Sequence, residues 1–325
     1  MTYDVSKGMY LMWRYVLKRL LLTIPILIAV GFIVFSIMAL TPGDPGTVIL
    51  GIHADRAAID QLNHELGFDR PFFVRFFSYM YDLIFRFDMG NSYRTSAPVA
   101  RDVFAKTPVT ILIAFNAMLF ASVIGIPLGV LSAVKQYSLL DTISTSIALL
   151  LAAVPAFWLG MMLMYVFALR LGLLPSSGIG TWQNFVLPML TLGIPYCAEQ
   201  LRFTRSSMLE TIRQDYIRTA RAKGAKERTV IWKHALKNAL LPVITITGMN
   251  FGILIGGAVI TETLFTIPGL GTFIVNGIRM QDTPVVMGGT IFLAAIFTIV
   301  MLTIDLLYAF VDPRIKAKYQ RGGAN

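Results

Sequence analysis

Six long runs of apolar residues, at 20–40, 108–134, 142–169, 185–201, 241–261 and 285–311, constrain this chain more than any other feature. A helix needs about 20 apolar residues to cross the roughly 30 Å hydrocarbon layer, and each run approaches or exceeds that length. The runs predict an all-α membrane protein with six transmembrane helices. Hydrophobic residues make up 56% of the 325 positions and charged residues 14%, so a solvated, disordered chain is excluded. Cys197 is the only cysteine, which rules out an internal disulfide framework. Pro25, Pro127, Pro155, Pro188 and Pro195 fall inside the runs; lipid-embedded helices tolerate proline where neighbouring helices satisfy the freed carbonyls. The first run lacks a convincing small-residue cleavage site and reads as a retained helix, not a signal peptide.

Lysine and arginine set the expected orientation. Lys7, Arg14, Lys18 and Arg19 precede the first run, ten basic residues crowd the loop 202–237, and Arg314, Lys316, Lys318 and Arg321 follow the last run. Arg170 and Arg279 are the only basic residues in the later loops of the other side. The positive-inside rule then predicts cytoplasmic termini and a cytoplasmic 202–237 loop. Basic loops beside anionic headgroups account for the net charge of +10, so no nucleic acid is called for. The segment 41–107 holds seven basic and eight acidic residues. It reads as a small helical cap on the outer face, with helices over 54–66, ending at Gly67, and over 71–87. Residues 1–107 thus form an N-terminal unit with the cap. Residues 108–325 form a five-helix core with a cytoplasmic loop at 202–240.

The chain lacks several kinds of chemistry. No Gly-x-x-x-x-Gly-Lys-Ser/Thr cradle for nucleotide phosphates is present. His53, His64 and His234 make no metal-ligand spacing. No nucleophile–base constellation emerges, which disfavours a membrane-embedded hydrolase. Ionisable residues inside a membrane mark ion or proton relays by default, yet only Glu199, near Arg202, and Asp305 fall within the runs. Both read as helix-end or interhelical pairs. A secondary carrier working without ATP remains an alternative, since sodium carriers can use backbone carbonyls.

The 202–240 loop carries more. Residues 206–223 have helical spacing through Leu209, Ile212, Tyr216 and Thr219/Ala220, and Gly224 stands where a glycine ends a helix. A second helix is expected through Val230, Ile231 and Ala235, with Pro242 opening the fifth span. The small residues Thr219, Ala220, Ala222 and Gly224 would let a partner surface approach; a solvated basic loop is the other reading. Gly248, Gly252 and Gly256 form overlapping Gly-x-x-x-Gly steps, and Gly125 and Gly129 form another. Such spacing permits close backbone contact, within one chain or with a second subunit. The apolar segment after Thr261 is too long for a tight turn and is expected to dip back toward the membrane.

The chain resembles the permease subunits of ATP-binding-cassette importers of the dipeptide/oligopeptide/nickel family. The matching stretches are Thr41-Pro42-Gly43-Asp44-Pro45, Glu65-Leu66-Gly67 with Asp69-Arg70-Pro71, and Pro155-Ala156-Phe157-Trp158-Leu159-Gly160. They continue at 204–210, 215–224, 234–245, 261–271 and 305–314. The resemblance implies a type I importer permease fold in a bacterial or archaeal cytoplasmic membrane and no enzymatic activity. It implies a second homologous permease chain, two ATPase subunits that bind ATP and magnesium, and an extracytoplasmic binding protein that delivers peptide. No cofactor would reside in this chain. The bend Tyr216, Thr219, Ala220, Arg221, Ala222 and Gly224 would be the coupling element that docks on the ATPase, and Gly248, Gly252 and Gly256 would line the interface between permeases. The wider superfamily's Glu-Ala-Ala motif is here Arg218-Thr219-Ala220, so its acidic position is lost. Leu241-Pro242 also stands farther from Gly224 than in sugar-type relatives. Look-alike permeases also import nickel or metal chelates, glutathione and oligosaccharides.

Overall fold

The computed structural model describes residues 5–311 apart from residue 52. The side chains of Lys7, Arg14 and Lys18, and the basic tail Arg314, Lys316, Lys318 and Arg321, lie outside the described residues. Helix α1 (Val5–Leu40) is followed by three cap helices, α2 (Pro45–Leu50), α3 (Arg56–Glu65) and α4 (Phe72–Phe85). The core comprises α5 (Val99–Val134), α6 (Leu139–Ala153), α7 (Ala156–Leu163), α8 (Val186–Ile212), α9 (Asp215–Ala222), α10 (Glu227–Thr229), α11 (Leu236–Leu264), α12 (Leu270–Arg279) and α13 (Thr283–Val311). A π-helical turn, Met164–Arg170, extends α7, and another, Val230–Ala235, joins α10 to α11.

Four helical segments among the described residues are long and apolar enough to cross a membrane: Arg19–Leu40, Val99–Val134, Glu227–Leu264 and Thr283–Leu306. The third expected span is a broken one, α6 and α7 meeting at 102°. Val154 is extended at the break (ψ 126°), as the residue before a proline prefers, and Pro155 starts the next helix. The fourth expected span is α8, which runs on through Glu199, Arg202 and Arg205, so hydropathy underrates it. Its neighbours α5, α6, α7 and α11 surround it, which is why it can be more polar than a lipid-facing helix. Pro242 stands inside helix rather than opening one.

The contact between α5 and α8 organises this core. A Cβ on Gly125 would lie 2.7 Å from the carbonyl oxygen of Cys197, and one on Gly129 would lie 2.6 Å from that of Leu201. From the other side, a Cβ on Gly193 would lie 2.9 Å from the carbonyl oxygen of Ala117. The Gly125/Gly129 step is therefore spent within the chain, backbone against backbone. Gln200, fully buried, donates from Nε2 to Ser122 Oγ on α5 (3.2 Å) and to Thr247 Oγ1 on α11 (3.3 Å), tying three helices together.

At one end of α5, Arg205 of α8 clasps Asp141 in the first turn of α6 through two parallel bonds, Nε to Oδ1 at 2.6 Å and Nη2 to Oδ2 at 2.8 Å. Ser132 Oγ and the Tyr137 amide also donate to this carboxylate, and Ser138 caps the helix. At the opposite end of α5, Met89, Val99 and Val103 pack on Leu270, Ile274 and Val285 of α12 and α13. Helix α12 is the segment expected to dip back; it packs on α5, α11 and α13. Glu262, expected just beyond the fifth span, is instead inside α11 and fully buried. It accepts hydrogen bonds from Thr110 Oγ1 (2.5 Å) and the Thr272 amide (3.0 Å).

The cap has no core of its own and borrows one. Phe76 and Met80 of α4 pack on Phe35 of α1 and on Met287 and Ile291 of α13. Phe72 sets its ring edge-on to Phe32 and Phe35 of α1, whereas Phe73, Phe77 and Tyr81 stay exposed. Asp44 caps α2 by accepting from the Thr47 amide (2.8 Å) and from Asn63 Nδ2 of α3 (2.7 Å). Burial pushes the Asp44 carboxyl up, but these hydrogen bonds outweigh it and hold the group below its ordinary range.

Two stability predictions follow from this packing. Gly129→Ala forces α5 and α8 apart and should cost about 1–3 kcal/mol, whereas Gly256→Ala, whose Cβ would meet nothing within 4 Å, should leave stability unchanged or slightly raised; thermal unfolding of both variants in detergent measures the contrast. Arg205→Ala strands a buried carboxylate and should cost about 3–5 kcal/mol. The double variant Asp141→Ala/Arg205→Ala should recover part of that loss in a double-mutant cycle.

Candidate functional site

Helix α9 is short because the chain breaks just before it. The expected helix over 206–223 ends at Arg213, and Gln214 is extended (ψ 150°) before α9 starts at Asp215. The break redirects the chain so that Ile217 lies fully buried among Val130 and Ala133 of α5, Met208 of α8, and Val230, Ile231 and Ala235 of the π-helical turn. A helix continued straight from α8 would carry Ile217 past this cluster. At the other end, the Ala225 amide donates to Ala220 O (3.2 Å) and the Gly224 amide to Arg221 O (2.9 Å). This is the Schellman pattern, and it requires the left-handed backbone that Gly224 supplies at φ 78°. Ala220 and Ala225 both touch the buried cluster, which completes the motif's apolar contact.

The anchoring divides the six expected coupling residues. Tyr216, Thr219, Arg221, Ala222 and Gly224 are exposed, while Ala220 is half-buried against the chain's own cluster. Tyr216 is 46% exposed, a large apolar-bodied side chain left nearly half uncovered by its own chain. Arg221 is held across the bend by Glu227, Nη2 to Oε1 at 2.7 Å and Nε to Oε2 at 3.1 Å. That hydrogen-bonded carboxylate raises the guanidinium above its already high value, so Arg221 is a fixed positive charge beside the small residues.

The three glycines of α11 do not share one environment. A Cβ on Gly248 would lie 2.6 Å from Ile304 of α13, and one on Gly252 would lie 3.2 Å from Met301 Sδ. Those two seat α13 of the same chain. Gly256 is exposed with nothing within 4 Å, as is its neighbour Gly257. Gly257 borders a groove of about 770 Å³ between α8, α11 and the α6–α7 break, with Ala152, Ala156, Leu254, Tyr196 and Glu199 among its walls. Glu199 was expected near the end of a span and in a pair. It lies at the middle of α8, exposed, and forms no ion pair among the described residues. Asp305 does pair, with Arg19 of α1 at 2.7 Å. His64 bonds Asp69 at 2.8 Å on the cap surface, and no cluster of three potential metal ligands occurs among the described residues. Sequence reasoning missed Asp141, Gln200 and Glu262. A carboxylate or amide one residue beyond an apolar run, or one per helix turn within it, was the available signal.

Comparisons with known proteins identify the family of the chain. Binding-protein-dependent transport system inner membrane components, as a family, match residues 125–317, and the N-terminal membrane component of such systems matches residues 12–116. The dipeptide transport system permease protein DppB of Alkalihalophilus pseudofirmus is 41% identical over 333 aligned residues, spanning 94% of this chain and all of that protein. The glutathione transport system permease protein GsiC of Escherichia coli is 38% identical, again over 94% of this chain and all of its own. Among solved structures, the inward-facing MetNI methionine ABC transporter superposes on 66% of this chain and 96% of its own, with a TM-score of 0.54 at 20% identity. An amino acid ABC transporter superposes similarly, with a TM-score of 0.51 at 14% identity; both show the fold alone. The match of family to most of the core and of relatives to nearly the whole chain settles the assignment: this chain belongs to the binding-protein-dependent inner membrane components, the permease subunits of ABC importers.

Proposed function

We propose that the chain carries peptides across the cytoplasmic membrane as half of an ATP-driven pathway. A second homologous permease supplies the other half. Two ATPase subunits bind ATP and magnesium and dock on α9, and a binding protein delivers peptide at the cap end. The termini and the 202–240 region face the cytoplasm, in keeping with the basic residues gathered there. Peptide as cargo is supported by the 41% identity to a dipeptide permease along its entire length. Glutathione is the second reading, favoured by the 38% identity to glutathione permeases. Being itself a peptide with free amino and carboxyl groups, it asks similar chemistry of the pathway.

The observation that carries the coupling role is the two-sidedness of α9. Its inner face is bolted to α5, α8 and α11 through Ile217 and Ala220, and its outer face offers Tyr216, Thr219, Ala222 and Gly224 uncovered. A push on the outer face therefore reaches three core helices together. The Asp141–Arg205 clasp passes the same displacement to α6, whose far end is the α6–α7 break. Ligand-driven switching requires two states that bind the partner differently; here the closing ATPase pair supplies that difference at α9. No ion-coordinating arrangement at mid-membrane is needed, since the work enters from outside the bundle.

Substitution on the two faces of α9 separates docking from folding. Ala222→Glu puts a bulky acid on the outer face and should lower ATPase co-purification and ATP-dependent uptake of a labelled dipeptide at least tenfold, with thermal stability unchanged. Ala220→Glu forces a charge into the inner cluster and should lower stability first. Normal uptake by Ala222→Glu, or uphill uptake by this chain without any ATPase, would overturn the coupling role. Uptake of glutathione in preference to every dipeptide tried would select the second reading of the cargo.

A further inference from the structure

Two opposite charges stand on the face of α8 that turns away from α5. Glu199 is the midpoint of the 27-residue helix, roughly 20 Å from either end at 1.5 Å per residue, and Arg202 follows one turn later. Both are exposed, and neither makes a hydrogen bond or ion pair among the described residues. The contrast with other carboxylates of the bundle is plain: Asp141 is clasped by Arg205, Glu262 is held by Thr110 and Thr272, and Asp305 is paired with Arg19. Glu199 falls at the inner end of the fourth apolar run and Arg202 opens the cytoplasmic region, so the two stand at the inner mouth of the bundle, where exposed ionisable groups face a water-filled cavity and mark a polar route. Glu199 and Arg202 both border the groove of about 770 Å³, within the roughly 300–1,000 Å³ range of small-molecule sites.

The other walls fit passage better than packing. Gly257 of α11 presents bare backbone, and Ala152 and Ala156 flank the α6–α7 break with side chains too small to fill the space. Residues three apart on a helix have Cβ atoms about 5–6 Å from each other. A dipeptide spans at most about 7 Å end to end, a distance that two flexible side chains at that spacing readily match. A guanidinium can also grip a carboxylate through two bonds.

The geometry points to Glu199 and Arg202 as specificity-determining residues of the pathway: Glu199 receives the ammonium group, and Arg202 the carboxylate, of a zwitterionic peptide in transit. This rests on the peptide reading of the cargo given above.

The test uses the complete complex, with its second permease, ATPases and binding protein, in proteoliposomes. Single-turnover uptake is measured from saturating, preloaded binding protein, so that the binding protein's own affinity does not enter. Three cargoes are compared: a free dipeptide, its N-acetyl form and its C-terminal amide. Glu199→Gln should slow the free dipeptide about tenfold and the N-acetyl form hardly at all. Arg202→Gln should slow the free dipeptide similarly and spare the amide. Equal slowing of all three cargoes would show a merely structural role and overturn the inference.

A second measurement does not depend on the blocked peptides being accepted. In a Cys197→Ser background, Glu199→Cys and Arg202→Cys should react with a charged methanethiosulfonate reagent, and trapping the complex with the free dipeptide inside should slow that reaction at least threefold. Labelling unaffected by peptide, or disulfide crosslinking of either cysteine to the second permease whether or not peptide is present, would overturn it. If the wild-type complex moves no peptide at all, the cargo reading fails; if it moves peptide and both variants match it, only the present inference fails.

Discussion

The absence of side chains between α5 and α8 is the constraint on which the rest of the core depends. Gly125, Gly129 and Gly193 bring the two backbones so close that a single added methyl group would strike a carbonyl oxygen. A contact that tight fixes the rotation of α8 about its axis. Cys197, Gln200, Leu201 and Thr204 must face α5, and the stripe Tyr196, Glu199, Phe203 and Ser206 must then face away. The first stripe is spaced i, i+3, i+4, i+7 and the second i, i+3, i+7, i+10, each the repeat of one helix face. One is spent on packing; the other is left for the groove.

Fixing α8 also fixes what hangs from its far end. Arg205 meets Asp141 only because the glycine contact holds α5 and α8 in register, and Met208 reaches the cluster that buries Ile217 one turn later. The break at Arg213–Gln214 and the glycine turn at Gly224 then bracket an eight-residue helix whose inner side is committed to the core. Such a helix cannot move alone. The rigidity of its mounting, more than any side-chain chemistry on its surface, makes it suited to receive force. The Schellman turn and Ile217 hold the element in place without an acidic residue where Arg218 stands.

Much of this was legible in the sequence, and the failures have a common cause. The apolar runs located the spanning helices, and Gly224 announced its turn because only glycine takes that backbone conformation without strain. Hydropathy is blind to direction, however, and so it joined α6 and α7 across a 102° bend that Pro155 marks. It also ended the fourth run at residue 201, whereas the helix itself runs on unbroken through Arg202 and Arg205 to Ile212. Glycine spacing located close contacts without naming the partner. Gly125 and Gly129 meet α8, Gly248 and Gly252 meet α13, and a Cβ on Gly256 would meet nothing within 4 Å among the described residues. Which of these a given step serves is decided by tertiary packing, and no local pattern records it. Asp141 and Glu262 were hidden for a related reason, each lying one residue outside an apolar run while being deeply buried in the fold.

The same packing gives the bundle a lateral polarity. On one flank, α5, α6 and α8 enclose a groove with a predominantly apolar lining that includes Phe120, Ile124, Ile147 and Leu201. Acyl chains suit such a surface without penalty. On the other flank stand Glu199 and Arg202. A charged side chain at the centre of a spanning helix costs about 2.5–3.5 kcal/mol when it must face lipid. Glu199 and Arg202 are opposite in sign but form no ion pair among the described residues, so exposing both to lipid would consume a large fraction of the stability of an ordinary domain. That flank is therefore turned toward water or protein rather than lipid, and the bare backbone of Gly256 and Gly257 beside it points the same way. The chain thus has one lipid-compatible side and one lipid-averse side, and the lipid-averse side is the one that the glycine contact with α5 compels α8 to present.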